Sequence, residues 1–79
     1  MSERILLVED DQRLAGMVRD YLGGAGFRVE HAASGESALA LAGRESFDAL
    51  ILDIMLPGID GLEVCRRLRA KATTPILML

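Results

Sequence analysis

Cysteine is almost absent from the chain: Cys65 stands alone among 79 residues, so no intrachain disulfide can support the fold. A lone thiol suits a reducing compartment. Long apolar runs are missing as well. Stretches such as Ile5 to Val8 and Ala49 to Leu52 reach only four or five residues, far short of the roughly 18 that span a bilayer. The opening residues MSERILLVEDD place acids directly behind a short apolar run, which is neither a signal-peptide core nor a transit sequence. A cytoplasmic location with no membrane partner is therefore expected. Positive charge is in deficit, with 9 Lys+Arg against 12 Asp+Glu and a net charge of -3, so no field draws nucleic acid to this segment. Low-complexity tracts, linkers and internal domain boundaries are absent too.

What remains is one small domain, which buries only about 60 to 65% of its unfolded surface when it folds alone. Its apolar runs begin at Ile5, Phe27, Ala49 and Ile76. Bounded by charge, glycine or proline, they read as strands of a parallel sheet over Arg4 to Val8, Phe27 to Glu30, Ala49 to Leu52 and Ile76 to Leu79. Leu14, Met17, Val18, Tyr21 and Leu22 recur on one face of a helix, which Gly23, Gly24 and Gly26 are expected to end. A second helix spans about Gly35 to Ala42, capped by Ser34 and closed by Gly43. A third starts at Asp60, where Asp60 and Glu63 form a variant of the capping box and Leu62, Cys65 and Leu68 are expected to face inward. Right-handed crossovers then predict an α/β fold with strand order 2-1-3-4 and three helices on two faces. The switch point of such a sheet lies between strands one and three, where open sheets hold ligands.

Acids occupy that crevice. Glu9 and Asp10 follow strand one and Asp53 follows strand three. Taken singly, each is accounted for as a helix cap or a solvated charge, and Asp10 or Asp11 suits the cap of helix one. Three together repel one another unless a cation sits among them, and an all-oxygen donor set selects a hard ion such as Mg2+. One carboxylate can then serve as nucleophile toward a phosphoryl group.

The segments Ile5-Leu-Leu-Val-Glu-Asp-Asp11, Leu50-Ile-Leu-Asp-Ile-Met-Leu-Pro-Gly-Ile-Asp-Gly61 and Thr74-Pro-Ile-Leu-Met-Leu79 resemble the receiver domain of two-component response regulators. The wording is most similar to the branch whose receivers precede a winged-helix DNA-binding domain. The resemblance implies a flavodoxin-like doubly wound sheet. It makes Asp53 the phosphoacceptor, Asp10 and Asp53 direct Mg2+ ligands, Glu9 a ligand acting mainly through a metal-bound water, and the main-chain carbonyl of Met55 a further ligand. The implied donor is the phosphohistidine of a sensor histidine kinase, and DNA is contacted only through an output domain outside this chain. A complete receiver also carries a hydroxyl residue after strand four, a fifth strand ending in lysine and two more helices. Residues 1–79 are then expected to be the N-terminal part of a receiver, with strand four as an open edge that invites self-association. Lys71, Thr73 and Thr74 precede strand four and are not expected to replace the missing groups.

Other features have plainer explanations. Gly23-Gly-Ala-Gly26 follows a helix and precedes a strand, the reverse of a nucleotide-binding loop. Arg66, Arg67, Arg69 and Lys71 read as a solvated helix end that can touch an acidic partner. His31 reads as a polar strand end, Cys65 as a small apolar filler, and Asp60 as a cap outside the site. Pro57 and Gly58 shape the turn into helix three. An aspartyl-nucleophile phosphatase of the haloacid-dehalogenase type is the rival from another class. It requires an acid two residues after the nucleophile, where this chain has Met55, so turnover catalysis is not expected. A binding module that is never phosphorylated is a third reading, opposed by the intact acid set.

Overall fold

In the computed structural model, which describes residues 2–79, the chain alternates strand and helix throughout. The order is β1 (Arg4–Val8), α1 (Gln12–Gly24), β2 (Arg28–Ala32), α2 (Gly35–Arg44), β3 (Ala49–Leu52), α3 (Gly61–Arg69) and β4 (Ile76–Met78). All strand pairs are parallel and the sheet runs β2-β1-β3-β4, as the crossover rule requires. β1 lies at the centre, with Val8 in register with Ala32 of β2 on one side and Leu52 of β3 on the other. β4 is the outer strand on the β3 side.

Side chains alternate across each strand, and the two faces are filled unequally. Leu6, Val8, Leu50 and Leu52 point into the main core, which Ala38 of α2 and Val64 of α3 complete. Leu6, Val8, Leu52 and Val64 are fully buried. On the other face α1 lies over β1 and β2 and buries Ala15. The regular apolar spacing of α1 does form a helix face, but much of it stays in water: Met17 is 61% and Tyr21 78% exposed. These residues flank an apolar groove shared with Ile51, Leu77 and Leu79.

The helix ends follow local chemistry, with some departures from expectation. Asp11 caps α1, its carboxylate accepting from the N–H groups of Arg13 and Leu14. Gly23 and Gly24 lie inside α1, Ala25 closes it, and only Gly26 takes the left-handed conformation, at φ 101°. Ser34 caps α2 through a reciprocal capping box with Ser37, and the helix continues through Gly43 to Arg44. Asp60 caps α3 by accepting from the Glu63 N–H at 2.9 Å, but the box is half made. The Glu63 carboxylate turns outward to Arg66 and Arg67, because two guanidinium partners outcompete one amide. β2 begins at Arg28 and extends to Ala32, two residues beyond the expected end. As an edge strand it exposes Arg28 and Glu30 to water, so its pattern alternates instead of forming an apolar run.

The inward face of α3 also differs from expectation. Val64 is its buried side chain, Cys65 and Leu68 pack at the margin of the core, and Leu62 is 60% exposed. Asp60 is the N-cap as expected, and Gly61 and Val64 are the buried positions of the helix. With those positions inward, Leu62 falls on the opposite side of the helix. Leu52→Ala should therefore lower stability by about 2–5 kcal/mol, whereas Leu62→Ala should stay within about 0.5 kcal/mol. Urea unfolding midpoints check this, and equal losses for the two variants would contradict the assigned face.

Candidate functional site

The site is built by continuing the ladder one residue past each strand. The Asp53 N–H donates to the Val8 carbonyl at 3.1 Å, and the Glu9 N–H donates to the Ala32 carbonyl at 3.1 Å. These bonds fix the backbone at the C-terminal ends of β1 and β3. Glu9, Asp10 and Asp53 thereby converge, each offering a carboxylate oxygen within 4.8 Å of the others. They differ in exposure: Glu9 is buried, Asp53 half-buried and Asp10 exposed. Because Asp11 takes the capping role, Asp10 remains free for the crevice.

Each carboxylate is partly held. Glu9 Oε2 accepts the Asp11 N–H at 3.1 Å, and Asp53 Oδ1 accepts the Met55 N–H at 3.0 Å. Burial pushes the Glu9 carboxyl above its ordinary value, the bond from Asp11 offsets part of that, and the charge of Asp53 adds to the rise. The sign of the linkage follows. A carboxyl whose folded-state value is raised favours the fold below its unfolded value, and that contribution is lost as pH rises through the folded one. The ionised form of Glu9 therefore works against the fold of the metal-free chain. A hard divalent cation among the three oxygens would relieve this repulsion, and the donor set fits such an ion.

All three acids expected in the crevice are brought together there. Met55 stands beside them, its N–H bonded to Asp53 Oδ1 and its side chain exposed to water. Lys71 and Thr74 line a different cleft, away from the acids. Asp60 stays outside the cluster as a cap.

Three contributors were not legible from their residue types. His31 Nε2 lies 2.7 Å from the Glu9 carbonyl oxygen, so its ring N–H braces the backbone behind the buried acid. Leu56 is buried in the main core and pins the loop after Asp53. Gly61 packs its backbone against the Asp53–Ile54 peptide, and its N–H donates to the Ile54 carbonyl at 3.0 Å. A Cβ at Gly61 would lie 2.7 Å from Ile54 Cα and closer still to the Asp53 carbonyl oxygen. The glycine that opens α3 thus sets the height of the acid that ends β3.

A doubly wound parallel sheet carrying three carboxylates at its β1/β3 switch point defines the class: a flavodoxin-like α/β domain with an acidic ligand crevice. Residues 5–79 match the family described as the response regulator receiver domain, and the chain belongs to that family. Among curated relatives, the transcriptional activator protein PfeR of Pseudomonas aeruginosa is 46% identical over 99% of this chain and 26% of its own length. The transcriptional regulatory protein AfsQ1 of Streptomyces coelicolor is 47% identical over 95% of this chain and 33% of its own. The chain thus spans a third or less of these regulators. Among solved structures, the chemotaxis response regulator CheY4 of Vibrio cholerae superposes with a TM-score of 0.95 at 37% identity, covering 99% of this chain and 68% of that one.

Gly61→Ala should displace the Asp53 backbone and lower stability by more than about 1 kcal/mol, as steric changes at well-packed positions do. Gly16→Ala, inside α1 with nothing within 4 Å of the new methyl, should instead raise stability by about 0.5–1 kcal/mol. Melting temperatures of the two variants check the contrast, and a neutral Gly61→Ala would contradict the close approach.

Proposed function

We propose that Asp53 accepts a phosphoryl group from the phosphohistidine of a sensor histidine kinase, and that this event controls a transcriptional output domain outside residues 1–79. The observation that carries this reading is the convergence of Glu9, Asp10 and Asp53 at the switch point, with Asp53 only half-buried. Membership in the receiver family supports the kinase as partner, and relatives named as transcriptional regulators support the output. DNA is contacted through that output domain and not through this acidic segment. The reading places the protein in the cytoplasm, and no described helix is long and apolar enough to cross a membrane.

Glu9, Asp10 and Asp53, with the main-chain carbonyl of Met55, would hold Mg2+, which when bound neutralises the carboxylates and draws charge from phosphoryl oxygens. The protein's own contribution is positional. The Met55 N–H occupies Asp53 Oδ1 and orients the carboxylate, leaving the other oxygen to attack phosphorus. The bond from phosphorus to the donor imidazole breaks, its electron pair stays on nitrogen with a proton, and an aspartyl phosphate forms. The chain is thus a phosphoacceptor and not a turnover catalyst: the residue two beyond Asp53 is Met55, which supplies no general acid.

Intact mass after incubation with Mg2+ and phosphoramidate tests the assignment. The parent should gain one phosphoryl group and Asp53→Asn none. Equal labelling of both would remove Asp53 from the role.

A further inference from the structure

Away from the acids, a cleft of about 850 Å³ lies between the C-terminal parts of α2 and α3 and the chain entering β3 and β4. Its volume is within the range of small-molecule sites, about 300–1,000 Å³. Phe47, Leu50, Leu68 and Ile76 give it an apolar lining; Leu50 belongs to the buried core, and the other three pack against its edge. The α3 side of the cleft is cationic, formed by Arg66, Arg67, Arg69 and Lys71.

The charges on this side are unevenly matched. Glu63 engages Arg66 and Arg67, so one carboxylate is shared by two guanidiniums. The Arg69 guanidinium donates only to the Ala72 carbonyl, at 3.4 Å. Among the described residues Lys71 forms no ion pair. The acid that lines the cleft, Glu45, is paired with Arg4. Positive charge is therefore in surplus beside an apolar floor, within a molecule of net charge -3. A neutral apolar ligand would leave Arg69 and Lys71 unmatched, and an inorganic anion would leave the floor in water. The complementary ligand has both parts: an apolar body for the floor, and an acidic head for the cations that line the cleft.

We propose that this cleft binds a small organic anion with an extended apolar body, of the fatty-carboxylate class. The site is remote from the crevice at the β1/β3 ends and uses none of its residues.

Decanoate, acetate and decyltrimethylammonium are the probes, each titrated into the 79-residue chain and followed by 15N–1H correlation spectra. Decanoate should shift resonances of residues 39–47 and 68–76 saturably, while acetate and the cationic amphiphile leave them unmoved. The double variant Arg69→Glu, Lys71→Glu changes two exposed side chains, and its dispersed spectrum reports that it is folded. Its affinity for decanoate should fall at least tenfold. Shifts centred on Leu14, Met17, Tyr21 and Leu77 would move binding to the α1 groove and overturn the proposal. Undiminished affinity in the double variant, or equal binding of the cationic amphiphile, would overturn it too. Concentration-dependent shifts at the cleft without probe would assign it to a second copy of the chain. Tighter binding of an acidic amphipathic peptide than of decanoate would assign it to a protein partner. Either result would replace the small anion.

Discussion

Convergence of three carboxylates at one end of the sheet is the constraint on which the rest of the site depends. Parallel pairing of β1 with both β2 and β3 brings Val8 into register with Ala32 and Leu52. The residues that follow β1 and β3 have no choice but to emerge side by side. The sheet keeps this register and therefore brings the acids together, in an arrangement whose charge a cation would offset. Glu9 feels this setting most clearly: burial pushes its carboxyl upward, and the charge of Asp53 adds to the rise.

Much of the surrounding structure keeps that corner in place. The aliphatic core beneath it is anchored by Leu6, Val8 and Leu52. Above it, backbone bonds from Asp53 to Val8 and from Glu9 to Ala32 extend the ladder beyond the strands. Asp11 frees Asp10 by taking the cap of α1. Leu56 and Gly61 fold the loop after Asp53 back onto the sheet, with Gly58 at φ 72° turning the chain. Close approach at Gly35, where a Cβ would meet Val64 Cγ2 at 2.7 Å, seats α2 against α3. Preorganisation of this kind is what lets a few side chains act on a charged ligand without rearranging.

Much of this was readable from residue order. The recurrence of apolar runs at Ile5, Phe27, Ala49 and Ile76 specifies strands, and the crossover rule turns them into the observed sheet order. The three crevice acids were readable because they follow strands whose order determines their meeting. What escaped sequence reading depends on rotation, exposure and contact. Leu62 has the spacing of an inward residue, but the buried positions of α3 are Gly61 and Val64, which leaves it outward. The stripe on α1 is apolar, but the neighbouring sheet face is only partly covered and leaves Tyr21 in water. Glu63 suits a capping box, yet two arginines one turn away hold its carboxylate. The role of His31 arises from a carbonyl 22 residues away in sequence, and that of Gly61 from a peptide across the loop that precedes α3. No local pattern encodes such contacts.

The three carboxylates at the ends of β1 and β3 are proposed to hold a hard cation. Paramagnetic broadening by Mn2+ tests this most directly, since broadening falls steeply with distance from the ion. Substoichiometric Mn2+ should broaden the amide resonances of residues 8–11 and 53–55 first, and excess Mg2+ should restore them. Broadening that begins elsewhere, or that Mg2+ cannot reverse, would contradict the account.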